Sequence, residues 1–256
     1  MTEISPLIPH MERVLEAKTI QEIWALHLAK MAEYGFDRLL YGFTRFRTAQ
    51  TQFGSAEDLL MLSNHVEAYI DAFVRSGLYN HAPMVRWALE NEGPASWRLL
   101  QQVVAMGDLT QTERKVVELN QKFGVTAGYS ISFRDMSVRA KGAIGLCARR
   151  DVTQDAVEEV WAEHGREITV ANNLVHLKLT SMPFASSRRA LTPRQREALE
   201  WVGDGKTMQD IATIMGLTPA TVEKHLRLAR EALDVDTTAQ AVLKASYQNQ
   251  IFIEAN

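Results

Sequence analysis

Three capped helix starts follow one another near the end of the chain, and they constrain the fold more than any other feature. Thr192, Thr207 and Thr218 each stand where a hydroxyl side chain caps a helix N-terminus. Proline follows the first and third of them, at the position where a missing N–H costs nothing. Gly216 supplies a left-handed residue that ends the middle helix. The pattern therefore predicts short helices joined by tight turns.

The second and third of these helices carry apolar residues at helical spacing. The two stripes are Met208, Ile211, Ala212 and Met215, and Val222, Leu226, Ala229 and Leu233. Two short helices joined by a glycine turn are typical of the helix-turn-helix motif, whose second helix enters the DNA major groove. A generic helical bundle with a charged, solvated face is the plainer alternative. The agreement of three caps, one glycine turn and short spacing disfavours it.

The outward face of the third helix supplies the candidate DNA contacts. Lys224 and Arg227 have the reach for guanine edges or phosphates, whereas Thr218 and Thr221 suit phosphates at the helix start. The full predicted set is Thr207, Thr218, Ala220, Thr221, Glu223, Lys224, Arg227 and Arg230. From Arg188 onwards the chain has nine basic and nine acidic residues. Non-specific affinity is therefore modest, and we expect a homodimer on a palindromic operator of double-stranded DNA.

The longer N-terminal part mixes helix and strand signals. They predict an α+β protein, with an N-terminal α/β sandwich around an antiparallel sheet and a C-terminal all-α domain. The expected domains are 1–180 and 191–256, joined by a linker at 181–190. The segment 181–193 around this linker has two prolines and several small residues. Helices are expected over 10–34, 56–75, 110–123 and 154–179, and strands over 38–46, 127–135 and 141–149. The order of the strands is not readable.

Several classes of protein are disfavoured by composition. The N-terminus lacks the basic and apolar regions of a signal peptide, and no apolar run has the length of a membrane span. The single cysteine, Cys147, lies in an apolar run and is interpreted as packing. The seven histidines show no metal-ligand spacing, and there is no glycine-rich phosphate loop. We therefore expect a cytoplasmic protein that is not an enzyme and holds no metal or cofactor.

The C-terminal motif resembles that of the LuxR-type regulators. The residues that carry the resemblance are LTPRQREAL, the GK pair that ends in Lys206, and GLTPATVEKHLRLAREALDV. Leu199 and Gly205 fall on characteristic positions of that family, whereas Gln195 replaces its usual glutamate. The segment after Val235 is similar to the fourth helix of the family's DNA-binding domain, which serves dimer contacts there.

The N-terminal part resembles the autoinducer-binding domain of the same family, an α/β/α sandwich that encloses an acyl-homoserine lactone. HLAKMAEYGFDRLLYGF matches its opening, and Trp97, Pro83 and Gly128 match a pocket tryptophan, a proline and a strand glycine. The resemblance implies quorum sensing and a small-molecule ligand. The residues expected to bind it are Tyr41, Tyr69, Phe73, Ala82, Trp97, Gly128 and Gly145, with Phe43 and Trp87 as further aromatic lining.

The departures from that family lie at its polar ligand contacts. Ala82 stands where the family has an aspartate that accepts from the ligand amide, and Tyr69 replaces a tryptophan that donates to the lactone. Phe73, Gly145 and His65 each replace a residue with a hydroxyl. An amide N–H buried without its acceptor costs roughly 1–3 kcal/mol, so the affinity for ordinary acyl-homoserine lactones should fall.

These observations leave more than one hypothesis open. The leading one is a dimeric LuxR-type transcription regulator. Its sensor half either binds a non-standard small molecule or folds without a ligand. The alternative is an interaction protein that forms heterodimers with another receptor and titrates it, although an intact recognition helix argues against that role. A response regulator would need a receiver domain with a phosphoacceptor aspartate, for which the N-terminal half gives no signal.

Overall fold

The computed structural model describes residues 7–47, 58–135, 137–183 and 190–252. The chain divides into two compact units, Met1–Leu179 and Thr180–Asn256. Most of the expected linker at 181–190 lies outside the described residues. Within them, no helix combines the length and the apolar character of a membrane span.

The N-terminal unit contains seven α-helices and five strands among its described residues. The helices are α1 (Ile8–Glu16), α2 (Ile20–Glu33), α3 (Glu67–Ile70), α4 (Pro83–Glu90), α5 (Arg98–Met106), α6 (Gln111–Phe123) and α7 (Gln154–Ser181). The strands are β1 (Phe36–Thr44), β2 (Leu59–Ser63), β3 (Gly93–Ser96), β4 (Gly128–Ser132) and β5 (Lys141–Ala148). They form one sheet in the order β2-β1-β5-β4-β3, with every neighbouring pair antiparallel. The predicted antiparallel sheet is confirmed.

Helices cover both faces of this sheet. On one face, the Trp24 ring of α2 lies 6.5 Å from Tyr41, and Trp161 of α7 stacks on Tyr129 at 3.8 Å. On the other face, the Ser132 hydroxyl donates to the Ala88 carbonyl of α4 at 2.7 Å. Because successive strand residues point to opposite faces, neighbours along β1 and β4 pack against different helical layers. The expected α/β/α sandwich is therefore confirmed.

Local capping sets the helix boundaries. The helix expected over 10–34 is two helices, because the Thr19 side chain accepts from the Glu22 N–H at 3.1 Å and starts α2. The helix expected over 110–123 is confirmed as α6. It begins at a capping box between Thr110 and Glu113 and ends at Gly124, whose φ of 70° is left-handed.

The helix expected over 56–75 is wrong. Residues 56 and 57 lie outside the described part of the chain, and the run that follows forms β2, which pairs with β1 from Thr44 to Leu40. Helix begins only at Glu67 and widens into a π-helical turn over Asp71–Arg75. An apolar run such as LLML suits a buried strand and a helix equally well, and distant pairing decides between them.

The C-terminal unit contains α8 (Pro193–Gly203), α9 (Met208–Met215), α10 (Pro219–Leu233) and α11 (Thr238–Tyr247). All three predicted caps are confirmed. Thr192, Thr207 and Thr218 accept from the backbone N–H three residues on, at 3.4, 3.3 and 3.2 Å. Gly216, with φ 66°, ends α9. The predicted stripes form the core together with Ala198, Leu199, Ala241 and Ala245.

Candidate functional site

A cavity of about 400 Å³ lies in the N-terminal unit between the sheet and the layer that contains α3 to α6. Its wall is mostly aliphatic and aromatic. Among the described residues that line it, none is an aspartate or a glutamate. The polar side chains of the lining residues are those of Tyr41, His65, Tyr69, Tyr79, Gln101, Asn120, Gln121, Thr126, Ser130 and Lys141. A cavity of this size and character suits an apolar small molecule with few polar groups.

One wall of the cavity is a ladder of stacked rings. His65, Tyr69 and Phe73 follow at four-residue spacing, with ring centroids 4.7 and 5.2 Å apart. Burial lowers the pKa of the His65 imidazole to about 4 and raises the pKa of the Tyr69 phenol. Both side chains are therefore neutral at pH 7, and neither supplies a charge to a ligand.

Trp97 lines the cavity, and its ring lies against the sheet at Gly128 and Gly145. Its indole N–H donates to the Ser130 hydroxyl oxygen at 2.9 Å. A β-carbon on Gly128 would lie 3.0 Å from the indole and 2.1 Å from the Leu146 carbonyl oxygen. A β-carbon on Gly145 would lie 3.7 Å from the same indole, which is ordinary contact. The indole fits this position because Gly128 has no side chain.

A second polar pair stands at the ring ladder. The Tyr69 hydroxyl donates to the Asn120 side-chain oxygen at 2.9 Å. Asn120 lies on α6. Tyr69 lies on α3, which continues into the π-helical turn over Asp71–Arg75. Because the amide oxygen is engaged, the Asn120 amide nitrogen keeps its two N–H donors for another partner.

The structure brings most of the sequence-predicted ligand residues together. Tyr69, Phe73, Ala82, Trp97 and Gly145 all line the cavity. Their roles in binding stay predictions.

Four other expected positions differ. Tyr41 borders the cavity, but its ring packs against the opposite helical layer, where the hydroxyl and the His176 imidazole are 2.9 Å apart. Strand alternation sends this side chain away from the ligand side. Gly128 does not line the cavity but lies beneath Trp97. Phe43 and Trp87 are not lining residues either, and Phe43 packs against His176.

Sequence reasoning missed Asn120 and Ser130. Asn120 follows Val116 by one helical turn, so it interrupts the buried stripe of α6 with a polar residue. Ser130 pairs with Gly145 across the sheet and is only 6% exposed. A polar residue on an apolar helix face was the available signal for Asn120. Ser130 shares its strand face with Gly128 and Ser132, a pattern that does not mark it as a buried residue.

The outward face of α10 carries the predicted DNA-contacting residues. Pro219, Ala220, Glu223, Lys224 and Arg227 are exposed, and the Thr218 and Thr221 hydroxyls lie 2.9 Å apart at the helix start. Thr207 caps α9 and accepts from the Asp210 N–H. Exposed polar groups at the start of the second helix are the arrangement that helix-turn-helix proteins present to the major groove.

The three cations of α10 differ in their surroundings. The Arg227 guanidinium pairs with Glu231, and Arg230 donates to Glu223 and to Thr238, each at 2.8 Å. The Arg230 side chain is 20% exposed, so it also ties α10 to α11. Lys224 is exposed, and among the described residues it forms no ion pair with an acidic side chain. It is therefore the most available cation of the helix.

Comparisons with known proteins agree with this geometry. The family described as "Autoinducer binding domain" matches residues 19–179, and the family described as "Sigma-70, region 4" matches residues 189–233. The transcriptional activator protein AnoR of Acinetobacter nosocomialis is 24% identical over 233 residues, which are 90% of this chain and 92% of AnoR. The transcriptional activator protein LuxR of Aliivibrio fischeri ES114 is 21% identical over 189 residues, 73% of each chain.

Solved structures show the same fold at low sequence identity. Escherichia coli SdiA is similar with a TM-score of 0.52 and 16% identity, over 96% of this chain and 98% of SdiA. CepR2 of Burkholderia cenocepacia is similar with a TM-score of 0.51 and 17% identity, over 68% of this chain and 95% of CepR2.

A cavity-bearing sensor unit followed by a helix-turn-helix unit defines a DNA-binding transcription regulator. The chain belongs to the autoinducer-binding-domain family and is a regulator of the LuxR type, as its sequence predicts. This family consists of regulators rather than enzymes. The alternative role as a protein that titrates another receptor is not indicated by the comparisons.

Proposed function

We propose that this regulator binds a palindromic operator as a homodimer, with α10 of each subunit in one major groove. The observation that carries the proposal is the exposed face of α10, where Lys224 and Arg227 follow the capped helix start. Lys224 contacts base edges or phosphates directly. Arg227 exchanges its Glu231 partner for DNA, which costs little because surface ion pairs are weak. Because the proposed partner is DNA, we infer that the protein acts in the cytoplasm.

Helix α11 supplies the surface that supports dimer formation. Leu243 is 48% exposed and Tyr247 is 37% exposed, and the two lie one turn apart on the same helix face. The resemblance to LuxR-type proteins gives this helix a role in pairing. A dimer doubles the DNA contacts of a unit that has no excess of positive charge.

The recognition helix is tested by fluorescence anisotropy with labelled palindromic DNA of the LuxR type. Lys224→Ala combined with Arg227→Ala should weaken binding at least tenfold and lower the salt dependence. Lys115→Ala combined with Arg139→Ala is the matched control, because it removes two exposed cations from the other unit. Equal affinity of the two double variants for the DNA would show that α10 is not the helix that contacts the operator.

The dimer is tested by sedimentation velocity. Leu243→Lys should shift the protein towards monomer at micromolar concentration, whereas Thr213→Lys, at an exposed position of α9, should not. An unchanged dimer in the first variant would move the pairing surface elsewhere.

We also propose that the cavity binds a small molecule with an apolar chain, either an acyl-homoserine lactone or a related non-standard ligand. Support comes from the apolar wall and its few polar groups. SdiA, a fold neighbour with 15% identity and a TM-score of 0.53, has been solved in complex with octanoyl-rac-glycerol. Mass spectrometry of molecules that co-purify with the protein tests the proposal. If the protein purifies without a ligand, and neither acyl-homoserine lactones nor acyl glycerols change its melting temperature, the result would favour a sensor unit that folds without a ligand.

A further inference from the structure

We infer that the cavity selects a ligand whose head group accepts hydrogen bonds but donates none, such as an acyl ester or ketone, and that Asn120 reads this head group. Both parts rest on the proposed function, namely that the cavity binds a small molecule. They add the chemical class of the head group and a residue that distinguishes it.

The first observation is the lack of a carboxylate acceptor for a ligand N–H. The described lining residues include no carboxylate, and Ala82 presents only a methyl group. The backbone of Ala82 is also engaged, because its carbonyl accepts from Val85 and Arg86 at 3.0 Å each and its N–H donates to Tyr79 at 3.0 Å. A ligand N–H placed beside Ala82 would therefore lose its water without gaining an acceptor from that residue.

The second observation is the presence of two donors. Since the Tyr69 hydroxyl donates to the Asn120 oxygen, the amide nitrogen of Asn120 keeps two hydrogens for another partner. Since the Ser130 oxygen accepts from Trp97, the serine hydroxyl proton is available for donation. Ser130 is buried, and a buried donor is stable only with an acceptor. A ligand carbonyl or ester oxygen supplies that acceptor.

The third observation is the space for an apolar chain. Lys141, Ala143 and Gly145 of β5 all line the cavity, so it follows the strand for about 13 Å at 3.3 Å per residue. The head-group residues Ser130 and Gly145 are cross-strand partners at one end of this stretch. An elongated molecule with one polar end fits this arrangement better than a compact polar one.

The experiment compares two probes that differ in a single group, ethyl octanoate, whose head group only accepts hydrogen bonds, and N-ethyloctanamide, whose head group also donates one. Their dissociation constants are measured with the full chain by tryptophan fluorescence, because Trp97 lines the cavity. We expect the ester to bind at least tenfold more tightly, since a buried N–H without an acceptor costs about tenfold to a hundredfold in affinity.

Asn120→Asp tests the role of Asn120. The carboxylate keeps an acceptor for the Tyr69 hydroxyl but replaces the amide donors by acceptors, so it should weaken the ester about tenfold and reverse the preference towards the amide. Asn173→Asp is the matched control, because Asn173 is exposed on α7 and does not line the cavity. Melting temperatures of both variants establish that the unit is folded.

The outcomes separate the two levels of the proposal. Equal binding of the probes, or tighter binding of the amide, overturns the acceptor-only head group and leaves small-molecule binding intact. An unchanged preference in Asn120→Asp overturns the role of that residue. Binding of neither probe counts against the head-group class and against the ligand cavity itself.

Discussion

Two glycines that adjoin the Trp97 ring, Gly128 and Gly145, should respond very differently to the same substitution. In Gly128→Ala, the new β-carbon would stand 2.1 Å from the Leu146 carbonyl oxygen, whereas close carbon–oxygen contacts lie at about 3.3 Å. In Gly145→Ala, the nearest atom is the Trp97 ring at 3.7 Å. The pair therefore compares one forbidden and one permitted methyl group beside the same indole.

The backbone at Gly128 has little freedom to relieve the overlap. Its N–H donates to the Gln154 side-chain oxygen at 2.9 Å. Its carbonyl accepts from the Gln154 side-chain amide and from the backbone N–H of Trp97, both at 3.1 Å. A shift of about 1 Å would break these bonds as well as add strain. We expect Gly128→Ala to lose at least about 3 kcal/mol, the upper range for an overpacked site. Gly145→Ala should stay within about 1 kcal/mol of the parent.

Thermal unfolding followed by tryptophan fluorescence checks both values, because Trp201 is the only tryptophan of the five in the C-terminal unit. A loss of 3 kcal/mol corresponds to a drop of roughly 6–12 °C for a unit of this size. A Gly128→Ala protein that melts within 2 °C of the parent, or a Gly145→Ala protein that melts equally low, would refute the packing described for Trp97.

Other substitutions test separate parts of the molecule. Ala82→Asp restores an acceptor at the head-group end and should tighten N-octanoyl-homoserine lactone about tenfold or more by titration calorimetry; unchanged affinity would place Ala82 away from the amide. Burial lowers the pKa of His27 to about 4, so unfolding free energy should be largest above pH 6.5 and fall by up to roughly 3 kcal/mol towards pH 4; a flat urea-denaturation profile over that range would contradict this. His10 is 1% exposed, and both of its ring nitrogens lack partners among the described residues, so His10→Leu should raise the denaturation midpoint at pH 7, and a fall would show a hidden partner. Thr207→Ala removes the α9 cap and should destabilise the C-terminal unit by about 1 kcal/mol, measured by circular dichroism with Thr213→Ala as an exposed mid-helix comparison.

The success of sequence reasoning depended on how local each interaction is. The caps at Thr192, Thr207 and Thr218 were predicted correctly because each bond joins residues three apart. Strand β2 was missed because it is specified by pairing with β1, some twenty residues earlier in the chain. The strand order follows from contacts more distant still, so no local pattern encodes it.

The cavity shows the same division. Trp97 and Ala82 could be placed from spacing, since a family resemblance transfers positions along the chain. The hydrogen bonds of Trp97 to Ser130 and of Tyr69 to Asn120 join residues 33 and 51 positions apart. Only the folded sheet and helix layer bring these side chains together, so the donors of the head-group end appear in the structure alone.

The difference between Gly128 and Gly145 also bears on how this sensor can change its ligand. At Gly128 any side chain would overlap the Leu146 carbonyl oxygen, so a substitution there requires the strands to move apart. At Gly145 a methyl group meets only ordinary contacts, and the space it would take belongs to the cavity. A single substitution at Gly145 therefore changes the depth and the polarity of the ligand site while the sheet stays intact. Evolution and protein engineering can both use this position to change which ligand the sensor binds.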